Sequence, residues 1–563
     1  MSAADRTAVR ADGRAADRAA DRVAELTATF AAPSVDVAGL LCDRHPDDRV
    51  AFTVVDGTGE PATLSYGELA ADSHRCARAL QGLGVGPGDR VATLMGKSTD
   101  LVTVILAIWR LGAVYVPLFT AFAPQAIALR LEGSGAHVVV VDPDQRHKLD
   151  QGPDMPDDPR RRLVVTGSGA RHGDVSLADL VAAASPQPVP AVTTSGDGPL
   201  VHMFTSGTTG KPKGVIHPVS YIAGWQVYLE YGLGVTRDSG YWCAADPGWA
   251  YGLYAAIVAP MTAGIPSLLL GGGFSAETTW RTLVDHEVTD FTAAPTVYRG
   301  LRSSSVSVPQ GLCLERASSA GEPLTPEVNE WADSALGLAV HDHFGQTEVG
   351  MPLANHHHPE LARPLKTGSM GRPLPGWRLT VLADEKDEPV EPGVLGRVAI
   401  DVAASPLMTF RGYQIPGQSD AKFTADGRWY LTGDAGRIDA DGDFFFSSRD
   451  DDVIIMAGYR IGPFEIESVL AQHSAVAECS VIGAPDDVRG EVIEAYVVLR
   501  DGGDASPELA AELQLLVKTR YAAHAYPRTI HFIDALPKTP SGKTQRYLLR
   551  SRRRTELAAP EQR

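Results

Sequence analysis

The sequence predicts an α/β protein: a large N-terminal α/β domain followed by a small α+β unit that starts near residue 450. Three observations carry this reading. At 563 residues the chain is too long for one ordinary domain. Between residues 65 and 141, short apolar runs alternate with helical patterns at the spacing of parallel β–α–β units. After Asp451 the pattern changes to a helix, two adjacent strands, a longer helix and a last strand.

The elements follow in order. Residues 1–35 are an Ala/Arg/Asp-rich lead that reads as a frayed helix without assignable chemistry. The large domain is expected over 36–450. Ser65-Tyr-Gly-Glu-Leu69 opens a helical pattern reaching residue 83, residues 84–89 form a turn, and 90–94 a strand. Helix 101–111, strand 114–118, helix 124–132 and the all-apolar strand 138–141 come next. Residues 150–197, rich in Pro, Asp, Arg and Gly, read as a variable surface excursion. The small domain, 451–563, offers helix 463–473, strands 477–483 and 494–499, and helix 507–524. Pro463 suits a first helical turn, and Glu465 and Glu467 suit its positive end.

Composition narrows the function. A formal charge of −18 leaves no basic field for nucleic acid. The five cysteines are scattered without a CxxC pair, as in a reducing cytoplasm, and supply no zinc site. Residues 1–30 lack the apolar core of a signal peptide. The apolar stretch 101–119 is interrupted by Arg110, Gly112 and Pro117, and the stretch 256–274 by Pro260 and Pro266. Both read as core segments, so the expectation is a soluble, cytoplasmic protein.

The central motif is Thr205-Ser-Gly-Thr-Thr-Gly-Lys-Pro-Lys-Gly214, set between two apolar strands. Its three glycines let backbone N–H groups converge on an anion, and four hydroxyls and two lysines add to them. Such a loop suits polyphosphate. It lacks the Gly-Lys-Ser/Thr of a P-loop kinase or ATPase. Read alone, it also fits a flexible surface turn.

Further motifs follow: Ala245-Asp-Pro-Gly-Trp-Ala-Tyr-Gly252, Ser318-Ser-Ala-Gly-Glu-Pro323, His341-Asp-His-Phe-Gly-Gln-Thr-Glu-Val-Gly350 and Tyr430-Leu-Thr-Gly-Asp-Ala435. Arg449, Gly458-Tyr-Arg460 and Leu536-Pro-Lys-Thr-Pro-Ser-Gly-Lys543-Thr-Gln-Arg546 complete the series. In this order the set resembles the adenylate-forming, AMP-binding superfamily, in particular acyl-CoA synthetases of the acetyl- and medium-chain type. The likeness runs from about residue 40 to about 550.

The resemblance implies a large domain of packed sheets with helices, a small mobile lid, and a hinge at Asp451. It implies ATP, Mg²⁺ and coenzyme A as the cofactors and co-substrates, and a small carboxylic acid as the partner. Thr205, Ser206, Gly207, Thr208, Thr209, Gly210 and Lys211 would hold the β- and γ-phosphates. Gly321, Glu322, Pro323, Asp342, His343, Phe344, Gln346, Asp434, Arg449 and Arg460 would hold the nucleoside and its phosphate. Phe344 offers an aromatic face to a purine, and the Asp434 carboxylate can accept both ribose hydroxyls. Thr347 and Glu348 supply a hydroxyl for phosphate and a carboxylate for Mg²⁺. Lys543 would align the α-phosphate with the attacking carboxylate and then withdraw. Gly458 and Tyr459 would line a coenzyme A tunnel.

For the acid, the implied pocket is Trp249, Ala250, Tyr251, Ala320 and Gly345, although Trp249 also fits a core plug. Acetate-specific relatives carry a tryptophan where Gly345 stands, so a deeper pocket is expected here. Tyr251 departs from their pattern and would narrow the mouth. The expected acid is short-branched, medium-chain or aryl, with acetate or propionate as the alternative. A stand-alone enzyme loading a carrier protein is the second reading, and a non-catalytic nucleotide-binding protein the third. An exposed, mobile Lys543 would also be open to a lysine acyltransferase. His356-His-His358 reads as a solvated loop, because adjacent histidines do not share a face as metal ligands at i, i+4 do.

Overall fold

The helix Thr99–Arg110 is the centre of the core, and nearly every side chain from Leu101 to Arg110 is buried. Ser98 caps it by accepting the Leu101 N–H. Arg110 ends it in the interior, where its guanidinium donates to Asp43 (2.8 Å) and Ser73 (2.8 Å). A buried arginine held this way belongs to a protein core. The computed structural model describes all residues except 1–2, 57–59, 206–211, 416, 451, 457–458, 487–489, 501–502, 523–524, 540–542 and 559–563. The side chains of 3–14, 420, 459–460, 490 and 558 also lie outside the description. Among the described residues, no helix is long and apolar enough to cross a membrane.

Two large sheets, their strands counted among the described residues, flank this helix. One has seven strands and holds Arg90–Leu94, Val114–Pro117 and Val138–Val141 in parallel. It ends in the antiparallel pair Pro199–Thr205 and Lys213–Pro218. The other has thirteen strands. Asp290–Ala293, Arg316–Ala320 and Val340–Gln346 pair in parallel within it, and the antiparallel pair Val50–Val55 and Pro61–Ser65 forms one edge. Beyond Gln346 every new pairing in that sheet is antiparallel, out to Trp429–Ile438 and Phe444–Arg449. The β–α alternation of the first 141 residues therefore describes only part of the large unit. The helix Tyr66–Gly82 carries a complete capping box, Ser65 accepting from the Glu68 N–H and Glu68 accepting from the Ser65 N–H.

Two sequence expectations are corrected here. The N-terminal lead is a helix, Ala3–Phe30, and from Ala15 onward it is docked: Ala19, Val23, Leu26 and Phe30 are buried in the main core. Arg22 ties it to Glu230 at 2.7 Å. Its apolar residues recur at helical spacing among the charges, and that stripe has a partner. Residues 150–197 are also more than an excursion. Arg162–Val165 adds a strand to the seven-stranded sheet, and Leu177–Ala183 packs on the helix Tyr66–Gly82.

Among the described residues the C-terminal sheet has five strands, Tyr459–Ile461, Ile454–Met456, Gly490–Leu499, Val476–Asp486 and Thr529–Phe532. Pro463–Leu470 and Pro507–Arg520 pack on it around a core of its own. A last helix, Arg546–Ala558, which the sequence pattern did not mark, lies against Val476–Asp486.

Candidate active site

The strand Trp429–Ile438 brings Asp434 directly opposite Arg449 on Phe444–Arg449. Arg449 donates to Asp434 Oδ1 at 3.1 Å, and Gln346 Nε2 donates to Oδ2 at 2.7 Å. Asp434 is 3% exposed. Burial raises its pKa above the ordinary aspartate value, against the opposing pull of Arg449 and Lys422. Gln346 is fixed in turn by the Tyr430 hydroxyl, which donates to its Oε1 at 3.0 Å.

Lys422, which no motif marked, joins the same group. Its ammonium donates to Thr432 O at 2.9 Å and has Glu348, Arg449, Asp434 and Lys213 as its electrostatic neighbours. Burial lowers its pKa. Glu348 is buried, and the Tyr413 hydroxyl donates to its Oε1 at 2.6 Å. Lys213 lies over the Tyr413 ring, 4.9 Å from its centroid. Ser206, Gly207, Thr208, Thr209, Gly210 and Lys211 lie outside the described residues. The strands flanking them pair Thr205 with Lys213. Lys213 and Tyr413 thus lead from the foot of that hairpin to Glu348.

Lys543 comes from the C-terminal unit. Its turn is closed by the Thr539 N–H donating to Lys543 O (2.8 Å) and the Lys543 N–H donating to Thr539 Oγ1 (3.1 Å). Solvent reaches the side chain, yet the protein gathered around its ammonium lowers its pKa. Glu322, Asp434 and Glu348 oppose that shift, and Arg449 adds to it. Those four residues lie on four different segments of the large unit. Glu322 follows Gly321, whose φ of +102° a side chain would rarely adopt, and its carboxylate accepts from Thr296 (2.5 Å) and Arg299 (2.7 Å). Asp451, Gly458 and the side chains of Tyr459 and Arg460 lie outside the described residues.

A second set of expected residues forms a buried hydrogen-bonded chain whose direction follows from its last acceptor, a carbonyl. His343 Nε2–H donates to Asn355 O (3.1 Å), so Nδ1 accepts from Tyr228 (2.8 Å). Tyr228 then accepts from Tyr251 (2.8 Å), and Tyr251 from Thr292 (2.8 Å). Burial keeps His343 neutral, its pKa far below the usual value. Tyr228 begins a π-helical turn, Tyr228–Gly232, a local widening often found at functional sites. His217 is held in the same way: Nε2–H donates to Thr347 O (2.7 Å), and Tyr254 donates to Nδ1 (3.0 Å).

Several expectations change. Gly345 does not open a void. A Cβ there would meet Met351 Sδ at 2.2 Å and Gly350 O at 2.4 Å, because the residue sits at an irregularity in the pairing with Gly350–Ala354. Trp249 is partly buried, its ring packed on Phe119 and Phe122 with centroids 5.5 and 5.4 Å away. The Asp342 carboxyl accepts from Leu324 N–H (3.3 Å), and burial pushes it up to about 8. The loop His356–His358 is packed rather than solvated: His357 stacks on His341 with centroids 3.6 Å apart, and His358 lies against Tyr231. Phe344 is half-buried against the main core, and Ala250 and Ala320 are buried.

The two units meet at Phe446 and Phe464, whose rings are 5.7 Å apart. Glu465, the next residue, is largely buried beside Ser447, with no hydrogen-bond partner for Oε2 among the described residues. Burial pushes its carboxyl from 4.5 up to about 7, Ser447, its own backbone and Arg437 pulling down and Glu467 up. The folded form thus holds a proton that the unfolded chain releases. Its stabilising effect is complete below 4.5 and is lost as pH rises to about 7. Glu465→Gln should flatten that fall, giving a melting temperature above wild type at pH 8 and close to it at pH 4.5. Parallel melting curves across this range would contradict the assignment.

Comparison with known proteins agrees with this geometry. Residues 41–414 match the AMP-binding enzyme family, and residues 465–543 match the AMP-binding enzyme C-terminal domain. The acetyl-coenzyme A synthetase of Bacillus subtilis (strain 168) is 35% identical over 521 residues, covering 90% of this chain and 89% of that protein. The mitochondrial acyl-coenzyme A synthetase ACSM3 of Mus musculus is 34% identical, covering 89% of this chain and 86% of its own. The crystal structure of Brucella canis acyl-CoA synthetase superposes with a TM-score of 0.73 at 39% identity, covering 96% and 99% of the two chains. The chain belongs to the AMP-binding enzyme family, as an adenylate-forming acyl-CoA synthetase that uses ATP, coenzyme A and a small carboxylic acid.

Proposed function

We propose that this enzyme activates a compact acid, short-branched or aryl, at a site whose working residues are Lys543, Asp434, Arg449, Gln346, Glu348 and Thr347. One observation carries the catalytic part: the Lys543 ammonium, from the C-terminal unit, has Glu322, Asp434, Glu348 and Arg449 as its charged neighbours. The acid's carboxylate attacks the α-phosphorus of ATP, the bond to the bridging oxygen breaks, and pyrophosphate leaves with that electron pair. Two anions must approach, and Lys543 supplies the cation that aligns them. Asp434 and Gln346 hold the ribose, with Arg449 fixing the Asp434 carboxylate. Glu348 and Thr347 are hard oxygen donors of the kind Mg²⁺ takes, and Tyr413 leaves one Glu348 oxygen for it. When bound there, the ion would neutralise phosphate charge. The thiol of coenzyme A then displaces AMP from the acyl carbon.

The acid's size is argued from two walls. Tyr251 is fixed by Tyr228 and Thr292 and cannot swing. Beside Gly345 stands Met351, an unbranched side chain that adapts to what it meets. A fixed wall and a soft one favour short-branched or flat acids over long straight chains. Pyrophosphate release across acetate, isobutyrate, 2-methylbutyrate, octanoate and benzoate, with and without coenzyme A, tests this directly. Turnover should require coenzyme A and peak at the branched or aryl acids. Thioester formation on a carrier protein alone would favour the carrier-loading reading. Tyr251→Ala should raise kcat/KM for octanoate relative to isobutyrate by about tenfold or more. An unchanged ratio would remove Tyr251 from the pocket wall.

A further inference from the structure

The last motif of the chain ends in a charged residue, Arg546, that the reaction as described does not use. Arg546 stands three positions after Lys543, at the start of the helix Arg546–Ala558. Its guanidinium points back into the C-terminal unit. Nη2 donates to both Glu467 oxygens (2.8 and 2.7 Å), Nε to Glu467 Oε1 (3.2 Å), and Nη1 to Asp452 Oδ2 (3.2 Å). Arg550, one turn further along, reaches the other oxygen of Asp452. Val481 N–H also donates to Glu467 Oε1, at 2.7 Å. The group is thus two cations and two carboxylates, closely paired, with Asp452 and Glu467 about a tenth exposed.

Where Asp452 comes from gives this cluster a meaning. The Asp452 N–H donates to Arg449 O at 3.0 Å, and the Asp450 N–H to Gly433 O at 3.0 Å. Arg449 is the residue paired with Asp434. A short path of hydrogen bonds and ion pairs therefore runs from the Asp434 carboxylate through Arg449 and Asp452 to Arg546, and by three residues of chain to Lys543. Elsewhere around the lysine's turn, the contacts among the described residues include the Lys538–Thr544 bridge, the Gln545 N–H donating to Pro537 O, and the Lys538 ammonium donating to Glu478 Oε1 (2.6 Å) on the C-terminal sheet. These close the turn and tie it to the C-terminal sheet, and none of them reaches the strand end that carries Arg449.

We propose that Arg546 is a positioning residue for adenylate formation: by gripping Glu467 and Asp452 at once, it sets the Lys543 turn at a fixed distance from the strand end that carries Arg449. The inference rests on the reading of Lys543 as the aligning cation. It goes further by making the lysine's placement depend on a cluster that touches no substrate. A planar guanidinium suits this task because it bonds two carboxylates in fixed directions, whereas an ammonium would hold them as a point charge.

The test separates the two half-reactions in the full-length enzyme, using the best acid from the panel above. ATP–pyrophosphate exchange reads adenylate formation, and thiolysis of supplied acyl-AMP by coenzyme A reads the second step. Arg546→Met should lower exchange by about 10²-fold, the usual cost of misplacing a catalytic group by an ångström. Thiolysis should change by less than about threefold. Arg546→Lys should fall between wild type and Arg546→Met. In a Lys543→Ala background, Arg546→Met should cost nothing more in exchange, since there is no ammonium left to place. Equal losses in both half-reactions, or the same loss of exchange with and without Lys543, would overturn the proposal and leave Arg546 a stabilising residue. Should Arg546→Met not fold, Asp452→Asn removes one arm of the grip and must show the same selective loss of exchange. Lys543→Ala alone tests the underlying reading: if it leaves exchange intact, that reading fails independently of Arg546.

Discussion

Lys543→Ala is expected to slow acyl-adenylate formation by about 10²–10³-fold, the effect of removing one preorganised charge partner from a transition state. Charge builds on the α-phosphate and the departing pyrophosphate as the bond breaks, and the Lys543 ammonium is a charged group that the C-terminal unit brings to that region. Thiolysis of supplied acyl-AMP should be nearly untouched, because no like-charged partners have to be drawn together when a thiol attacks an acyl carbon. The loss should fall in kcat rather than in the KM for ATP, since on the proposed reading Asp434 and Gln346 hold the ribose. A single-turnover measurement with each half-reaction decides it. An effect of the same size on both steps would mean that the lysine holds the fold together rather than aligning ATP. The environment that lowers the lysine's pKa adds a pH signature. Adenylate formation should decline as pH rises into the lysine's titration, at a lower pH than an ordinary lysine would give.

Asp434→Ala should raise the KM for ATP by about ten- to a hundredfold, corresponding to about 1.5–3 kcal/mol for hydrogen bonds to a charged group. The carboxylate sits in the interior with Arg449 on one oxygen and Gln346 on the other. The strand turns at Gly433, whose φ of +78° allows the sharp presentation of the next residue. If Asp434 receives the ribose hydroxyls, the penalty should largely disappear with 2′,3′-dideoxyATP, which has nothing to donate. Asp434→Asn keeps the shape and loses the charge, so it should fall between wild type and alanine. Penalties of equal size for ATP and the dideoxy analogue would show that the residue supports the strand and does not touch the sugar.

Local features of the chain were legible where a short-range rule applies. Ser65 and Glu68 announce a helix start three residues apart, and the structure completes both hydrogen bonds of the box. The four valines 138–141 announce a strand buried on both faces, and all four are buried. The Ala/Arg/Asp lead misled because its apolar stripe is thin. Val23, Leu26 and Phe30 are few among charged neighbours, and only the groove that receives them makes the segment a docked helix. Gly345 misled for the opposite reason. A missing side chain suggests open space, but the direction of its absent Cβ runs into Met351 and the Gly350 backbone.

By itself the sequence determined the family, the order of its motifs, and the residue types that adenylate chemistry requires: a glycine- and hydroxyl-rich decapeptide, a carboxylate after a glycine turn, and a lysine near the C-terminus. Only the tertiary structure decided which of these meet. It set Lys543 among Glu322, Glu348, Asp434 and Arg449, recruited Lys422 and Tyr413, which no motif marks, and turned the His356–His358 loop into packing. The reason is physical. Helix caps, apolar periodicity and glycine turns are fixed by neighbours a few residues away, whereas the approach of two charges from distant segments depends on how whole sheets pack and on which buried partners compensate the loss of water.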